Sequence, residues 1–220
     1  LTYVDLMGYC SPAWVSDYNW SAMVAYRQSG PTNAPATDPG TGPGLLVWGR
    51  ITATGVVLEP AFAVTAAPSL APAPGPHRLD LETADGSLLR SVSFDAAEVA
   101  DLPGGSEQHF AFVVPMDPQL TASLGRLTVR SASGSASLMP AAFTAADADP
   151  APVVTRQAAQ QVGVRWNTAR YPMVMVRDAA TGAVISFARG GSARLWTRGM
   201  NFDLQFSDGV RSVVLRRAPQ

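Results

Sequence analysis

From Leu45 onward the sequence is a succession of short runs in which apolar and polar residues alternate, and turn residues separate the runs. A period of two is typical of β-strands that bury one face. Four turns predict hairpins, and each ends in a glycine that can adopt the positive φ such turns need: 83–86, 131–134, 178–182 and 207–209. This pattern predicts a mainly β protein.

The predicted strands form two groups, which an Ala-, Asp- and Pro-rich segment at 144–152 separates. Strands of the first group are predicted at 46–53, 56–65, 78–83, 87–94, 108–114, 124–131 and 135–139. Strands of the second group are predicted at 153–157, 162–167, 173–177, 183–188, 193–197, 202–206 and 210–216. Seven strands in about 100 residues is the size of an immunoglobulin-like sandwich. We therefore expect two β-sandwich units, at 45–145 and at 153–220, the second being smaller.

The residues before Leu45 have a different composition. Residues 1–28 are rich in Tyr and Trp, and Ser16 or Asp17 can cap a short helix, 16–27. In 29–44 a proline recurs at every fourth position among small residues. Because proline lacks a backbone donor and glycine is costly to order, 29–44 is predicted to be a linker without helix or interior strand.

Charge divides at the same boundary as the two groups of strands. Residues 1–152 contain six Arg and fourteen acidic residues, a net charge of −8, whereas residues 153–220 contain ten Arg and three acidic residues, a net charge of +7. Two explanations remain open: the oppositely charged units pack against each other, or the arginine-rich unit binds an acidic partner through carboxylate or sulfate groups. The sequence has no motif of a nucleic-acid-binding module and no apolar run of about 18 residues, so we expect neither nucleic acid nor a membrane span.

The two histidines offer little catalytic chemistry. Neither His77 nor His109 belongs to an H-x-x-x-H pair, which would place two imidazoles on one helix face around zinc. His77 follows a Pro-Gly-Pro turn and is predicted to be an exposed loop residue, whereas His109 is predicted to lie on the solvent face of a strand. Cys10 is the only cysteine, which excludes an internal disulfide. The sequence also lacks a G-x-S-x-G nucleophile motif.

The most specific segment is 4–18, VDLMGYCSPAWVSDY. Its core, 5–9, resembles the Met-turn of metzincin zinc endopeptidases, and its continuation is similar to a stretch of large bacterial secreted or surface metalloproteases. The resemblance implies that Met7 forms an apolar floor beneath the zinc and that Tyr9 approaches the zinc or the developing oxyanion. A soft methionine suits such a floor because it does not compete as a hard ligand. Residues 1–28 would then be the remnant of a catalytic domain, with 16–27 as its closing helix.

The chain departs from that family at the zinc ligands. In metzincins a helix with the motif H-E-x-x-H-x-x-G-x-x-H precedes the Met-turn, and this chain, which begins at Leu1, does not contain the motif. We therefore expect a non-catalytic C-terminal region of a longer protein, inactive by itself and without a cofactor. The resemblance implies that this protein is extracellular or at the cell surface. The resemblance implies zinc in the full-length protein, its own upstream catalytic domain as a partner, and a protein or glycan substrate. Cys10 either pairs with a cysteine of the missing portion or stays free.

A stand-alone β-sandwich binding module for a glycan or a protein is the alternative hypothesis. Exposed aromatic residues beside arginines would form its contact surface. The candidates are Trp166, Tyr171 and Trp196, with Arg170 or Arg194 beside them. Trp166 lies between Arg165 and Asn167 in a predicted strand, so its alternation with polar residues predicts a core position. Burial of all three aromatic residues would contradict this hypothesis.

Overall fold

The computed structural model describes residues 4–5, 13–14, 41–66, 74–99, 107–140, 152–158, 161–196 and 201–217. The chain divides into two compact units, Leu1–Gly40 and Thr41–Gln220. In the first unit, β1 (Val4–Asp5) pairs in parallel with β2 (Ala13–Trp14). Met7, Tyr9, Cys10 and the predicted helix 16–27 lie outside the described residues.

The described residues between 41 and 140 form the first sandwich, which consists of two antiparallel sheets. The strands of one sheet are β3 (Gly42–Thr52), β4 (Gly55–Leu58), β5 (Phe62–Ala66), β8 (Ala97–Val99) and β9 (Glu107–Pro115). The other sheet contains, in spatial order, β11 (Gly134–Leu138), β10 (Arg126–Ser131), β6 (His77–Glu82) and β7 (Leu88–Phe94). A short helix, α1 (Pro118–Ser123), begins at Asp117, whose carboxylate accepts a hydrogen bond from Leu120 N at 2.7 Å.

Alternate residues of these strands point into the space between the two sheets and form the core of the first sandwich. Its largest members are aromatic: the ring centroid of Phe94 lies 4.9 Å from that of Phe110 and 5.1 Å from that of Phe112. Leucines and valines surround these rings, among them Leu45, Val47, Leu79, Leu81, Leu127 and Val129. Phe110 and Phe112 therefore share a buried face, as the alternation predicts.

The described residues between 152 and 217 form the second sandwich. One of its sheets has the order β12 (Val153–Ala158), β13 (Gln161–Arg165), β16 (Ser192–Trp196). The other has the order β15 (Val184–Ala188), β14 (Met173–Asp178), β17 (Phe202–Ser207), β18 (Ser212–Arg217). The core between them includes Val162, Val164, Val174, Val176, Leu204 and Phe206.

Trp166 belongs to the core of the second sandwich, as its alternation with polar residues predicts. Its side chain is 8 % exposed and meets the ring of Phe206 edge-on, with the centroids 6.3 Å apart. The indole Nε1 donates a hydrogen bond to Tyr171 O at 2.9 Å. This bond satisfies the one polar atom of a side chain that is otherwise buried.

The predictions of a mainly β fold and of four hairpins are confirmed. The glycines that close the hairpins have positive φ angles of 91°, 137°, 72° and 112°: Gly86, Gly134, Gly182 and Gly209. Four of the described elements were not predicted: the two-residue strands β1 and β2, the three-residue β8 and the six-residue α1. All four are too short for their hydrophobic period to be visible in the sequence.

The expectation that residues 29–44 contain no interior strand is wrong at its C-terminal end, because β3 begins at Gly42. Gly44 is buried, and a Cβ atom there would collide with Val113 Cγ1 of β9. Glycine is thus what allows the two strands to approach this closely. Pro43 has no amide hydrogen, but its carbonyl accepts a hydrogen bond from Met116 N at 3.0 Å.

The single strand predicted at 56–65 is interrupted at Pro60, between β4 and β5. Proline cannot donate a hydrogen bond to the ladder. At this break the backbone bonds the second sandwich instead: Ala61 N donates to Gly209 O at 2.9 Å, and Ala61 O accepts from Ser207 Oγ at 2.6 Å. The break is therefore part of the inter-sandwich interface, which β5 and the residues before it form with β14, β15, β17 and β18.

The centre of the inter-sandwich interface is apolar. Phe62, the first residue of β5, is fully buried against Met173 and Met175 of β14. The ring of Phe187 lies 5.6 Å from Phe62 and 4.9 Å from Trp48, centroid to centroid. On β14 the methionines alternate with valines that face the second sandwich's own core, so both faces of this strand are buried.

A buried amide adds hydrogen bonds to the same interface. Gln205 of β17 is 1 % exposed, and its Nε2 donates to Ala63 O at 2.6 Å and to Ser212 Oγ at 2.7 Å. Ser212 Oγ in turn accepts a hydrogen bond from Ala63 N at 2.8 Å. Backbone groups of β5 are thus satisfied by side chains of the second sandwich.

Arginines of the second sandwich form the outer part of the inter-sandwich interface. Arg211 Nη2 donates to Leu124 O at 2.7 Å, and Arg189 forms an ion pair with Glu59. The ion pair joins the oppositely charged groups of strands, as the first explanation of the charge division expects.

Candidate functional site

The candidate site lies on the outer face of the sheet β12–β13–β16. The first sandwich covers the outer face of the opposite sheet at β14 and β17. On β13 the core residues Val162 and Val164 point inward, so the residues between and after them, Gly163 and Arg165, point outward. The register aligns Gly163 with Thr155 of β12 and with Arg194 of β16. All three strands therefore contribute to one outer face.

This face contains a groove with a volume of about 500 Å³, which we call the arginine groove. Its outward-facing lining residues are Thr155, Gln157, Gly163, Arg165, Ser192 and Arg194. The volume falls within the range of small-ligand sites, about 300–1,000 Å³. Two arginines and no acidic residue are among the described residues that line the groove, so its potential favours an anion.

Gly163 forms the floor of the arginine groove. A Cβ atom at this position would lie 2.5 Å from Gln157 Nε2 and 3.2 Å from Thr155 Oγ1. Two polar side chains of β12 therefore lean over the glycine. Because glycine has no side chain of its own, it leaves the space that these two side chains occupy.

The two groove arginines are available to a ligand. Within the described part of the chain, neither Arg165 nor Arg194 forms a hydrogen bond or an ion pair. Other arginines of the second sandwich have partners inside the protein: Arg177, Arg189 and Arg211. A guanidinium group can form paired hydrogen bonds with a carboxylate or a sulfate, so the groove can bind such groups.

Trp196 extends the same face beyond the groove. It lies two residues after Arg194 on β16, aligns with Gln161 of β13, and is 70 % exposed. Alternate residues of a strand point to the same side and lie about 7 Å apart, so the indole and the guanidinium of Arg194 are neighbours. The predicted pair of Trp196 and Arg194 thus occupies one exposed surface together with Arg165.

The other aromatic candidates do not join this surface. Trp166 is buried in the core of the second sandwich. Tyr171 is half-buried, with its ring 5.5 Å from Phe206, and the guanidinium carbon of Arg170 lies 5.1 Å from the centre of the Tyr171 ring. Of the three aromatic residues considered, Trp196 is the exposed one.

His77 is not the exposed loop residue that the sequence predicts. It is the first residue of β6 and is 6 % exposed. Its Nδ1 lies 3.1 Å from Ser131 Oγ, its Nε2 lies 3.2 Å from Gln108 Oε1, and its ring packs against Phe94. Because β6 begins at His77, strand alternation places this side chain on the inner face with Leu79.

His109 lies on a solvent-exposed face, as predicted, and its Nε2 is 2.6 Å from Glu107 Oε1. It follows Gln108 in β9, so it points away from the side of the strand on which Gln108 meets His77. The described residues contain no group of three or more His, Cys, Asp or Glu that could hold a metal ion. The two histidines therefore do not fit the three-histidine zinc site of a metzincin.

A second polar cluster, on the outer face of the first sandwich, is internally satisfied. Asp80 is 2 % exposed and accepts hydrogen bonds from Arg78 Nε at 2.6 Å, Ser91 Oγ at 2.8 Å and Arg130 Nε at 3.2 Å. Burial by itself raises the pKa of Asp80, but these hydrogen bonds and the charge of Arg78 outweigh it and hold the pKa below its ordinary value of 3.8. This cluster has the features of a structural network.

Comparisons with known proteins add little to this site. No protein-family model and no curated protein matches the chain. Among solved structures, the central fibronectin-III array of RIM-binding protein is similar over 84 % of this chain and 67 % of that chain, with 12 % sequence identity and a TM-score of 0.22. That score is below the level that indicates a shared fold, so the β-sandwich assignment rests on the strands and cores described above. The described residues include no helix that is long and apolar enough to cross a membrane.

The sequence pointed to part of the groove surface. It identified Arg194 and Trp196 as contact candidates but not Gly163, Arg165 or Gln157. The sequence does contain a pattern that predicts the outward position of Gly163 and Arg165. Both residues alternate with Val162 and Val164, which are apolar and face the core. The alignment of β12 with β13 was not predictable, because strand register depends on pairing across the sheet.

Proposed function

We propose that the chain is a non-catalytic C-terminal region of a secreted or cell-surface zinc metalloendopeptidase, and that it contacts substrate or surface through the arginine groove and Trp196. The observation that carries the binding role is the open face with two guanidinium groups that have no partner among the described residues. Arginine and tryptophan are enriched at the energetic centres of interfaces.

The metalloendopeptidase part of the proposal depends on the resemblance of residues 4–18 to a Met-turn and its continuation. It is supported by the pairing of Val4–Asp5 with Ala13–Trp14, which brings together the two ends of the segment that contains Met7 and Tyr9. In this proposal an upstream catalytic domain is the chain's partner, holds the zinc and acts outside the cell.

The inter-sandwich interface supports a role in presentation. Phe62 is buried between the sandwiches, and Gln205 links β17 to the backbone of β5. Sandwiches that share a buried apolar interface keep a fixed relative orientation, whereas domains with a small polar contact move independently. The arginine groove is therefore held at a constant place relative to the first sandwich.

The reading frame upstream of Leu1 tests the peptidase assignment. We expect it to encode H-E-x-x-H-x-x-G-x-x-H in frame before residue 1, since that helix supplies the ligands in the family that residues 4–18 resemble. A complete reading frame without this motif would overturn the assignment and leave the binding role intact.

The purified 220-residue chain is expected to release no peptides from casein, with or without added Zn²⁺. The physical reason is its donor set: it has two histidines, which lie on separate sites of the first sandwich. Acid-soluble peptide release over a day would be measured, with a known zinc protease as the positive control. Release that survives repurification and is abolished by His109→Ala would contradict the non-catalytic assignment.

A stand-alone binding module for a glycan or a protein is the second candidate function. The 70 % exposure of Trp196 favours it, because a large aromatic side chain left in solvent is typical of a contact surface. The same face serves both proposals. They differ in whether a catalytic domain precedes the chain, which the upstream reading frame decides.

A further inference from the structure

We propose that the arginine groove and Trp196 together bind a polyuronate, a polysaccharide whose sugar rings carry one carboxylate each. This inference rests on the proposed binding function of the same face and names the class of ligand. It follows from the spacing of the two arginines, from the neutral polar groups beside them and from the position of the indole.

The two arginines are spaced for separate carboxylates. Arg165 lies two residues beyond Gly163 on β13. Gly163 is aligned with Arg194 on the neighbouring strand, β16. With about 3.3 Å per residue and about 4.8 Å between strands, the two Cα atoms are about 8 Å apart. Each guanidinium can therefore bind its own carboxylate in the paired geometry that suits both groups.

Neutral hydrogen-bonding groups lie beside the two charges. Thr155, Gln157 and Ser192 line the groove, and they supply hydroxyl and amide groups that match sugar hydroxyls. A polymer with several sulfates on each ring would bring more negative charge than two arginines can pair. The ratio of charged to neutral groups thus favours one carboxylate per ring.

Trp196 supplies a flat apolar surface at one end of this row. It lies two residues beyond Arg194 and is 70 % exposed. The apolar face of a pyranose ring packs against an indole, and such contact removes apolar area from water. An extended acidic peptide has no equivalent flat face, so the indole favours a sugar over a peptide.

Binding of the full 220-residue chain to immobilised polygalacturonate tests the inference. We expect saturable binding by the unmodified chain. Binding is expected to weaken by about tenfold or more in the double variant Arg165→Ala/Arg194→Ala, because each substitution removes a charge-assisted hydrogen bond to a carboxylate. Trp196→Ala is expected to weaken binding by about fivefold to tenfold through the lost ring contact. Gly163→Leu, which displaces the Gln157 amide from the groove floor without changing charge, is expected to weaken binding as well.

The controls separate charge from shape and folding. Arg50→Ala removes an exposed arginine of β3 outside the groove and is expected to bind like the unmodified chain. Fully methyl-esterified polygalacturonate keeps the rings but loses the charges, and its binding is expected to be at least about tenfold weaker. Thermal unfolding of every variant verifies that the second sandwich is intact.

Two further probes distinguish failure of this inference from failure of the proposed function. If poly-L-glutamate or dextran sulfate binds as tightly as polygalacturonate and the double variant abolishes that binding, the polyuronate inference is overturned and the binding face stands. If the double variant binds all three polymers like the unmodified chain, the arginine groove is not the binding face. That result overturns both the polyuronate inference and the binding role proposed for this face.

Discussion

Asp80 and Gln205 are polar side chains that lie inside the folded chain with most of their hydrogen-bonding atoms satisfied. Asp80 joins β6 to β7 and β10 through Ser91 and Arg130, and Gln205 joins the two sandwiches. A buried polar group that loses its partners costs about 1–3 kcal/mol. Individual positions of this kind therefore have large effects on stability without being part of a binding surface.

Asp80→Asn is expected to lower the free energy of unfolding by about 2 kcal/mol at neutral pH, because Arg78 and Arg130 lose a charged acceptor that is sheltered from water. Chemical denaturation measures the change. Glu98→Gln, which removes an exposed carboxylate of β8, is the matched control and is expected to have little effect. Equal effects of the two substitutions would contradict the assigned role of Asp80.

The same carboxylate predicts a pH dependence. Its pKa in the folded state lies below the ordinary value of 3.8, so the folded chain binds this proton less readily than the unfolded chain. The stabilisation is fully present well above pH 3.8 and is lost as the pH falls through 3.8 to the folded-state pKa. Asp80→Asn should therefore reduce the acid sensitivity of the unfolding free energy in that window, and an unchanged pH profile would contradict the prediction.

The burial of a single residue can be predicted from the sequence when its sequence neighbours show which way its side chain points. Trp166 was assigned correctly to the core because it alternates with Arg165 and Asn167. His77 was not, because its burial depends on Ser131 and Gln108, which are distant in sequence and reach it through the sheets.

At the scale of elements, β3 is a central strand of its sheet. It pairs with β9 on one side and with β4 and β5 on the other. Its glycines differ sharply in the space around them: a Cβ atom at Gly49 would meet Val57 O and lie 2.8 Å from Phe110 Cζ, whereas one at Gly42 would meet nothing within 4 Å.

Gly49→Ala is expected to destabilise the protein by about 1–3 kcal/mol, because the added methyl group meets a backbone carbonyl that cannot move independently of the sheet. Gly42→Ala in the same strand is the matched control and is expected to change the unfolding free energy by less than about 0.5 kcal/mol. Urea unfolding of both variants measures the difference, and a neutral Gly49→Ala would contradict the close approach of β3 and β4.

Strands were the elements that the sequence predicted best. Alternation located the strands of both sandwiches to within a few residues, and glycine-containing turns located the hairpins. Pro60 interrupts one predicted strand because the missing amide hydrogen cannot enter the ladder. The arginine groove required the register of β12, β13 and β16, which local sequence does not encode.

At the scale of the whole molecule, the region 41–220 is a single compact unit that contains both sandwiches. Phe62 and the methionines of β14 form a separate apolar cluster between the two sandwich cores. Because each sandwich buries apolar residues of the other at this cluster, we expect the two sandwiches to unfold together rather than one after the other.

Phe62→Ala is expected to lower the free energy of unfolding by about 3–5 kcal/mol, since it empties the centre of the inter-sandwich interface. Calorimetry should show one transition for the unmodified chain and two separated transitions for Phe62→Ala. Val184→Ala, at a side chain 48 % exposed on β15, is the control and should leave the single transition in place. One unshifted transition in Phe62→Ala would show that the sandwiches are not coupled through this residue.

The sequence by itself determined the β class, the hairpins and the inward face of most strands, because alternation and turn chemistry are local properties of the chain. It also singled out residues 4–18, whose proposed role in a peptidase remains for the upstream reading frame to test. Only the tertiary structure decided that Met173 and Met175 face another sandwich, that His77 is buried and that Arg165 and Arg194 share a groove. These outcomes depend on which strands pair and which faces meet, and those contacts join residues that are far apart in the sequence.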